Sequence, residues 1–336
     1  MATLQDVAQR AGVSIATVSK VLSNTPYFTE ETRLKVMQAV DELGYVPNLA
    51  ARALSSGKTH IIAVVFPYVY DTIFKDPLVM HILEGVETVI TQQQHNLLLS
   101  TPRLTGGRPD DNYLQLIRSG YIDGVIAIDN VPAASVSEAP AGRGIPVIVI
   151  GHHPAPYHVH SDDFAGGQML MEHILGLGHR RIGIITVAKD MNFSINQRMA
   201  GLQAAAEAAG LNAVQLPIAE GNFSTASGAR AIDTLLADDP GITAIISLND
   251  RMALGAVREL QRRGVSVPAH MSVVGYDDIA LSEVATPALT TINQRAFALG
   301  QTAAQMLFEV LNNHQPSPKV LRPELVIRSS SAAPRL

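Results

Sequence analysis

The apolar positions follow two rhythms along the chain. In residues 1–46 they recur at helical spacing, and from Ile61 onward they run in short continuous blocks. Leu4, Val7, Ala8 and Ala11 fall at i, i+3, i+4 and i+7, which predicts a short amphipathic helix capped by Thr3. Gly12 stands where a left-handed turn residue would end it. Ser14 then caps a second helix whose buried stripe is Val18, Val21 and Leu22. A third helix is expected after Thr29, with Glu30 and Glu31 complementing its positive end. It turns Leu34, Met37, Val40 and Leu43 inward and stops at Gly44. Two short helices joined by a glycine-containing turn form the helix-turn-helix unit.

A three-helix bundle with no ligand satisfies this pattern equally well. The outward face of the second helix separates the two readings. Ser14, Ile15, Ala16, Thr17 and Lys20 include no acid, so this face can enter a major groove with its first residues at the base edges. The hydroxyls of Thr3, Ser14, Thr17 and Thr29 and the ammonium of Lys20 are suitable phosphate partners. Charge points the same way, weakly. The chain carries −5 overall, whereas its first sixty residues carry six basic and five acidic side chains.

The rest of the chain predicts a different architecture. Ile61–Phe66, Asn96–Ser100, Gly124–Ile128, Pro146–Ile150, Ile182–Thr186, Ala244–Leu248 and Ser272–Gly275 are apolar runs separated by helical stretches. Continuous apolar strands alternating with helices mean parallel sheets covered on both faces. The remaining length makes two doubly wound subdomains, with ligands expected beyond the carboxyl ends of the strands, in the cleft between the halves. The whole is therefore read as α/β, with an all-α headpiece in front. A hydrophobic content of 47% with 16% charged residues fits a packed globular protein. With no cysteine, disulfides, thiolate metal sites and cysteine nucleophiles are excluded. The first residues lack a signal-peptide pattern and no apolar run is long enough to span a bilayer, so a cytoplasmic protein without a membrane partner is expected.

Thr3-Leu-x-Asp-Val-Ala-x-x-Ala-Gly-Val-Ser-x-x-Thr-Val-Ser-Lys-Val-Leu, then Thr32-Arg and Leu43-Gly-Tyr-x-Pro-Asn-x-x-Ala-Arg-x-Leu54, resemble the headpiece of the LacI/GalR repressors. The resemblance implies a transcription regulator that reads bases with Ile15, Ala16 and Lys20, with Ser23 also at the DNA. It implies a hinge helix over Asn48 to Leu54, including Ala51 and Arg52, that forms on DNA and wedges Leu54 into the minor groove. The residues agree with such a hinge. Fewer than two helical turns are marginal alone in water, and an apolar side chain can prise apart a base step. A flexible linker is the plainer alternative.

The resemblance continues through Asp162-x-x-x-Gly166, His173-x-x-x-x-Gly178-His-x-x-Ile182, Asn249-Asp-x-Met-Ala-Leu-Gly-Ala256, Ser272-Val-Val-Gly-Tyr-Asp-Asp278 and Leu289-Thr-Thr-Ile-x-Gln294. These are similar to the family's sensor domain, which is itself similar to periplasmic sugar-binding proteins. It implies effector contacts at Phe74, Ser194, Arg198, Phe223, Asn249, Asp277 and Gln294. A guanidinium fork, a carboxylate and an amide suit vicinal hydroxyls, and the two phenylalanines can face a sugar ring. Capping of following helices by Asn249 and Asp277, an interdomain ion pair at Arg198 and simple core packing of Phe223 stand as the structural alternatives. Gly151 and Ala296 depart from the acidic and aromatic residues of some sugar-responsive members. A sugar or glycoside is favoured ahead of a nucleoside or purine.

The expected organisation is a headpiece over 1–46 and a hinge and linker over 47–58. An effector-binding and dimerisation domain then covers 59–336, its N-subdomain about 59–160 plus 292–320 and its C-subdomain about 161–290 plus 321–330. No leucine heptad closes the chain, so a homodimer is expected, with operator DNA and a small-molecule effector as its other partners and no cofactor. A transport-type binding protein and a glycoside or nucleoside hydrolase are the competing classes. The headpiece opposes the first. The second lacks a nucleophile elbow or a recognisable carboxylate pair, since Asp162-Asp163 reads as a helix start. His152-His-Pro-Ala-Pro-Tyr-His158-Val-His160 is read as a loop at the cleft crossover, although His158 and His160 have possible metal-ligand spacing on a strand.

Overall fold

The computed structural model describes residues 2–22, 28–46, 57–66, 73–101, 111–128, 145–188 and 193–335. Contacts divide the chain into Met1–Thr59 and His60–Leu336.

The first unit contains α1 (Leu4–Ala11), α2 (Ile15–Leu22) and α3 (Glu30–Leu43). Thr3 and Asp6 close a reciprocal capping box on α1, and Gly12 ends it with φ +65°. Gly44 repeats that left-handed exit after α3, which Thr29 caps. Val7, Ala8, Val18, Val21, Val36, Ala39 and Tyr45 form the core. One expectation is corrected here: Leu34, Met37 and Leu43 are 57%, 37% and 36% exposed, and Val36 and Ala39 take their place. A ladder of pure i+3 steps slips roughly 60° around the helix at each step. It therefore leaves the face that α1 and α2 cover, whereas Val36, Ala39 and Val40 stay on it.

The second unit holds two sheets. The first is ordered β11-β5-β4-β3-β1-β2 and the second β12-β10-β9-β8-β6-β7. The first contains β1 (Ile61–Val65), β2 (Asn96–Ser100), β3 (Gly124–Ile128), β4 (Val147–Ile150), β5 (His158–Ser161) and β11 (Lys319–Leu321). The second contains β6 (Ile182–Val187), β7 (Ile218–Gly221), β8 (Ala244–Ser247), β9 (Ser272–Tyr276), β10 (Thr290–Asn293) and β12 (Glu324–Val326). Described pairs are parallel except β10 with β12. The chain passes between the sheets after β5, after β10 and after β11. Expected strands lie where the apolar runs placed them. The segment read as a loop around His158 is instead a strand, paired with β4 and β11, which puts Val159 in the core.

Side-chain alternation divides the burial. Ile62, Val64 and Phe66 face one side of the first sheet, under α4 (Pro77–Gln92) and α11 (Ala296–Leu311), while Ala63 and Val65 face the side of α5 (Asp111–Arg118). In the second half α6 (Asp163–Gly176) packs on α7 (Phe193–Ala208), and α8 (Thr225–Asp238) on α9 (Asp250–Arg262). The α6–α7 crossing is close because Gly167 and Gly201 meet backbone. A Cβ on Gly167 would lie 2.1 Å from the Arg198 carbonyl oxygen. That contact fixes the helix carrying Arg198 against the start of α6. No described helix is long and apolar enough to cross a membrane.

Candidate functional site

Two regions gather the candidate residues. On the headpiece, Ser14 Oγ accepts from the Thr17 amide at 3.1 Å and lies 2.9 Å from Thr17 Oγ1. This starts α2 at Ile15, with Val18 and Val21 buried and Ile15, Ala16 and Lys20 exposed. Ile15 is 49% exposed at the first position of the helix, where an apolar side chain has nothing of its own unit to cover it. The first turn of α2 carries no acid, so its positive end is open to an anionic backbone. Thr3 and Thr29, expected as phosphate partners, are the caps of α1 and α3. Ser23, Asn48, Ala51, Arg52 and Leu54 lie outside the described residues.

In the sensor unit the candidates meet at the carboxyl ends of the strands. Arg198, on α7, is buried. Its Nε donates to Asp163 Oδ1 at 2.8 Å, its Nη1 to the Leu248 carbonyl at 2.8 Å, and its guanidinium lies 3.6 Å from the Tyr276 ring centre. Asp277, just past β9, has Oδ1 3.6 Å from Arg198 Nη1 and accepts from Gln294 Nε2 at 2.6 Å. Tyr276 donates its hydroxyl to Asp163 at 3.2 Å. The structure thus joins Arg198, Asp277 and Gln294 in one buried polar group.

Other candidates hold the rim. Asn249 caps α9, accepting from the Met252 amide at 2.9 Å, and its Nδ2 reaches the Phe223 carbonyl at 3.4 Å. Phe223 follows β7 with φ +62° and packs on the core of this half. Asp277 and Asp278 also have positive φ, at 117° and 55°. Such strain persists where surrounding structure over-determines it, as at ligand clamps. Ser194 sits half-buried in the first turn of α7. Phe74, on the turn before α4, is 57% exposed with its ring 6.4 Å from Phe66.

Sequence reasoning missed His152, Asp163, Tyr276, Asp76 and Arg251. His152 Nε2 contacts Asp163 Oδ2 at 3.0 Å, and Arg251 Nη1 reaches Asp76 Oδ2 at 3.2 Å while Asp76 caps α4. Both pairs bridge the halves. Asp163 was legible as a helix start but not as a partner of a side chain 35 residues away.

Electrostatics differ among the carboxyls. Burial alone would raise Asp163, but Arg198 and His152 beside it prevail and hold it below its usual range. Burial, with Asp250 and Asp76 nearby, pushes Asp277 well above that range although Arg198 faces it. Burial likewise lifts Asp250 to about 7, against hydrogen bonds from Thr291, Ser282 and Ile279. Arg198 stays charged, since its neighbouring acids outweigh its burial.

The histidine rings lie against one another. Ring centres are 3.9 Å apart for His152 and His160, tilted by 38°, and 5.5 Å for His158 and His160, which stack at 18°. Among the described residues no group of three His, Cys, Asp or Glu side chains is placed to hold a metal.

Comparison with known proteins follows the same division. A model described as bacterial regulatory proteins, lacI family, matches residues 3–48, and a periplasmic binding protein-like domain matches residues 171–331. The HTH-type transcriptional repressor PurR of Actinobacillus pleuropneumoniae serotype 5b is 33% identical over 98% of both chains. PurR of Vibrio cholerae serotype O1 is 30% identical over 98% of both. A lac repressor dimer bound to operator and the anti-inducer ONPF superimposes with a TM-score of 0.87 at 27% identity, covering 99% of each chain. The CelR–cellobiose complex matches with a TM-score of 0.71 at 29% identity, over 98% of this chain and 100% of that one. The chain belongs to the LacI family of bacterial regulatory proteins and is a DNA-binding transcriptional repressor, not an enzyme.

Proposed function

We propose that the chain represses transcription as a homodimer on a palindromic operator, and that a sugar or glycoside bound in the cleft sets its affinity for that site. The buried group of Arg198, Asp277 and Gln294 at the strand ends carries this reading. A guanidinium, a carboxyl and an amide side by side offer donors and acceptors to neighbouring hydroxyls, and buried hydroxyls require such partners. Asn249 and Phe223 on the rim add an amide and an apolar face. The similarity to the CelR–cellobiose complex supports the ligand class, as does a LacI family regulator from Enterococcus faecium with bound ribose, at 27% identity and a TM-score of 0.73.

On the DNA side, Ile15, Ala16 and Lys20 read the major groove while Thr3, Ser14, Thr17, Ser23 and Thr29 hold the backbone. Residues 47–58 form the hinge, in which Asn48, Ala51, Arg52 and Leu54 meet the minor groove. Effector binding must then favour one of two dimer states, since a ligand with equal affinity for both shifts nothing. A purine or nucleoside is the second reading. Phe223 and the exposed Phe193 offer ring faces on which a base stacks, and the relatives named PurR keep that class in the panel.

Isothermal titration of the full chain with saccharides, glycosides, nucleosides and purines, repeated on Arg198→Gln and Asp277→Asn, separates the two. Saturable heat from one saccharide, lost in both variants, is expected. Binding confined to a nucleoside or purine would overturn the sugar reading.

A further inference from the structure

The two halves of the sensor unit meet through polar side chains. Asp76 uses both carboxylate oxygens at the start of α4: Oδ1 accepts from the Leu78 amide at 3.1 Å and Oδ2 from Arg251 Nη1 at 3.2 Å. Arg251 stands in the first turn of α9, in the other half, and the two side chains are about one-fifth exposed. His152 and Asp163 make the second bridge, at 3.0 Å, and are more deeply buried. Every extensive contact between helices and strands among the described residues lies within one half.

The two bridges differ in leverage. The chain crosses between the sheets after β5, after β10 and after β11. His152 follows β4, the neighbour of β5, and Asp163 begins α6 just past the first crossover. Asp76 and Arg251 open the helices that follow β1 and β8. β1 stands three places from β5, and β8 two places from β10. At about 4.8 Å per strand, those strands lie about 10–14 Å from the crossover strands. A rotation about the crossovers that barely moves His152 from Asp163 therefore parts Asp76 from Arg251.

We propose that Asp76 and Arg251 form a clasp that keeps the cleft closed before any effector enters, and that both are positioning residues of the effector site. They hold the half that carries Phe74 over the half that carries Arg198 and Asp277. This role rests on the reading of the cleft as the effector site, whereas the closed geometry does not. A single Nη1 makes the bond, so the clasp needs a charge and not a guanidinium fork, and a lysine can serve. Being partly exposed, the pair is open to screening by salt. A site that is closed only part of the time binds its ligand more weakly in proportion to its closed fraction. The clasp thus sets effector affinity without touching the effector.

Spin-label distances across the cleft test this in the full chain with no effector present. The chain has no cysteine, so Gln305→Cys on α11 and Arg230→Cys on α8, both exposed positions, are the sites labelled. Dilution with unlabelled chain isolates distances within one protomer. Wild type at low salt is expected to show one predominant, short separation. Arg251→Gln, and Asp76→Asn, which keeps a capping side chain, are each expected to lower the closed-to-open ratio roughly two- to fivefold. Arg251→Glu, which sets a carboxylate against Asp76, is expected to make a longer separation dominant. Arg251→Lys is expected to restore the wild-type distribution. Sodium chloride at about 1 M should move wild type toward Arg251→Gln and leave that variant unchanged. An Arg251→Glu chain with the wild-type distribution overturns the proposal, and so does a wild type that is already open. An Arg251→Lys chain that matches Arg251→Gln overturns it as well, because shape rather than charge is then the cause. These distances need no ligand, so failure of the sugar reading leaves them unchanged and the two ideas fail separately.

Discussion

The approach of α6 to α7 places Arg198 on Asp163, and one added methyl tests it. In Gly167→Ala the new Cβ would stand 2.1 Å from the Arg198 carbonyl oxygen. Carbon and oxygen accept separations of about 3.3 Å, so the helices must part by about 1 Å. Overpacking of this kind costs about 1–3 kcal/mol. Replacing a helical glycine returns roughly 0.5–1 kcal/mol through the unfolded chain. The net is a loss centred near 1 kcal/mol and reaching about 2.5, or roughly 2–4 °C and at most about 10 °C in the melting midpoint at 2–4 °C per kcal/mol. Gly176, at the far end of the same helix, is the control: a Cβ there meets nothing within 4 Å. Gly176→Ala is therefore expected to gain roughly 0.5–1 kcal/mol. Opposite signs from one substitution in one helix, read by circular dichroism melts, are the expected result. A Gly167→Ala protein that melts at or above wild type would refute the packing account.

Burial, with His152 and His158 facing it, pushes His160 down to about 4, and burial lowers His173 and His179 as well. The unfolded chain therefore takes up protons that the folded one refuses, and stability falls as pH drops from about 6.5 toward 4. Melting midpoints across that window should fall less steeply in His160→Asn, and an unchanged slope would remove His160 from the effect. Asn249→Ala should lose the α9 cap, about 1 kcal/mol by denaturant midpoint, together with effector affinity, whereas Asn249→Asp keeps the cap. Full effector binding by Asn249→Asp would mean that capping, rather than ligand contact, is the role of Asn249. Replacing Lys20 with Ala should weaken operator binding and reduce the salt slope by about one, and unchanged affinity and slope would take it out of the contact set.

Elements governed by local chemistry were legible from residues alone. Thr3, Asp6 and Gly12 bound α1 because caps act within a few residues, and the apolar runs became β1, β3, β4, β6 and β8 because a strand buried on both faces needs no polar alternation. Thr290–Asn293 went unread as a strand, its Thr290 and Thr291 being buried on hydrogen bonds. Leu34 and Met37 misled because helical apolar spacing does not say which face the neighbours cover. At the cleft, Asp277 and Gln294 stand in motifs that carry the family resemblance, and Arg198 is a position to which that resemblance assigns an effector contact. His152 and Asp163 belong to a contact made only when β4 and α6 meet. Their signal was a carboxylate pair at a helix start, of which the first residue caps and the second turns inward.

The central claim, a repressor whose operator affinity a small molecule bound in the cleft controls, is tested most directly by fluorescence anisotropy on a palindromic DNA library. The full chain is measured with and without the saccharide, nucleoside and purine panel. Selective, salt-sensitive binding to one palindrome, shifted by one compound of the panel and no longer shifted in Arg198→Gln, is the predicted result. Binding without preference among palindromes, unmoved by every compound, would contradict it.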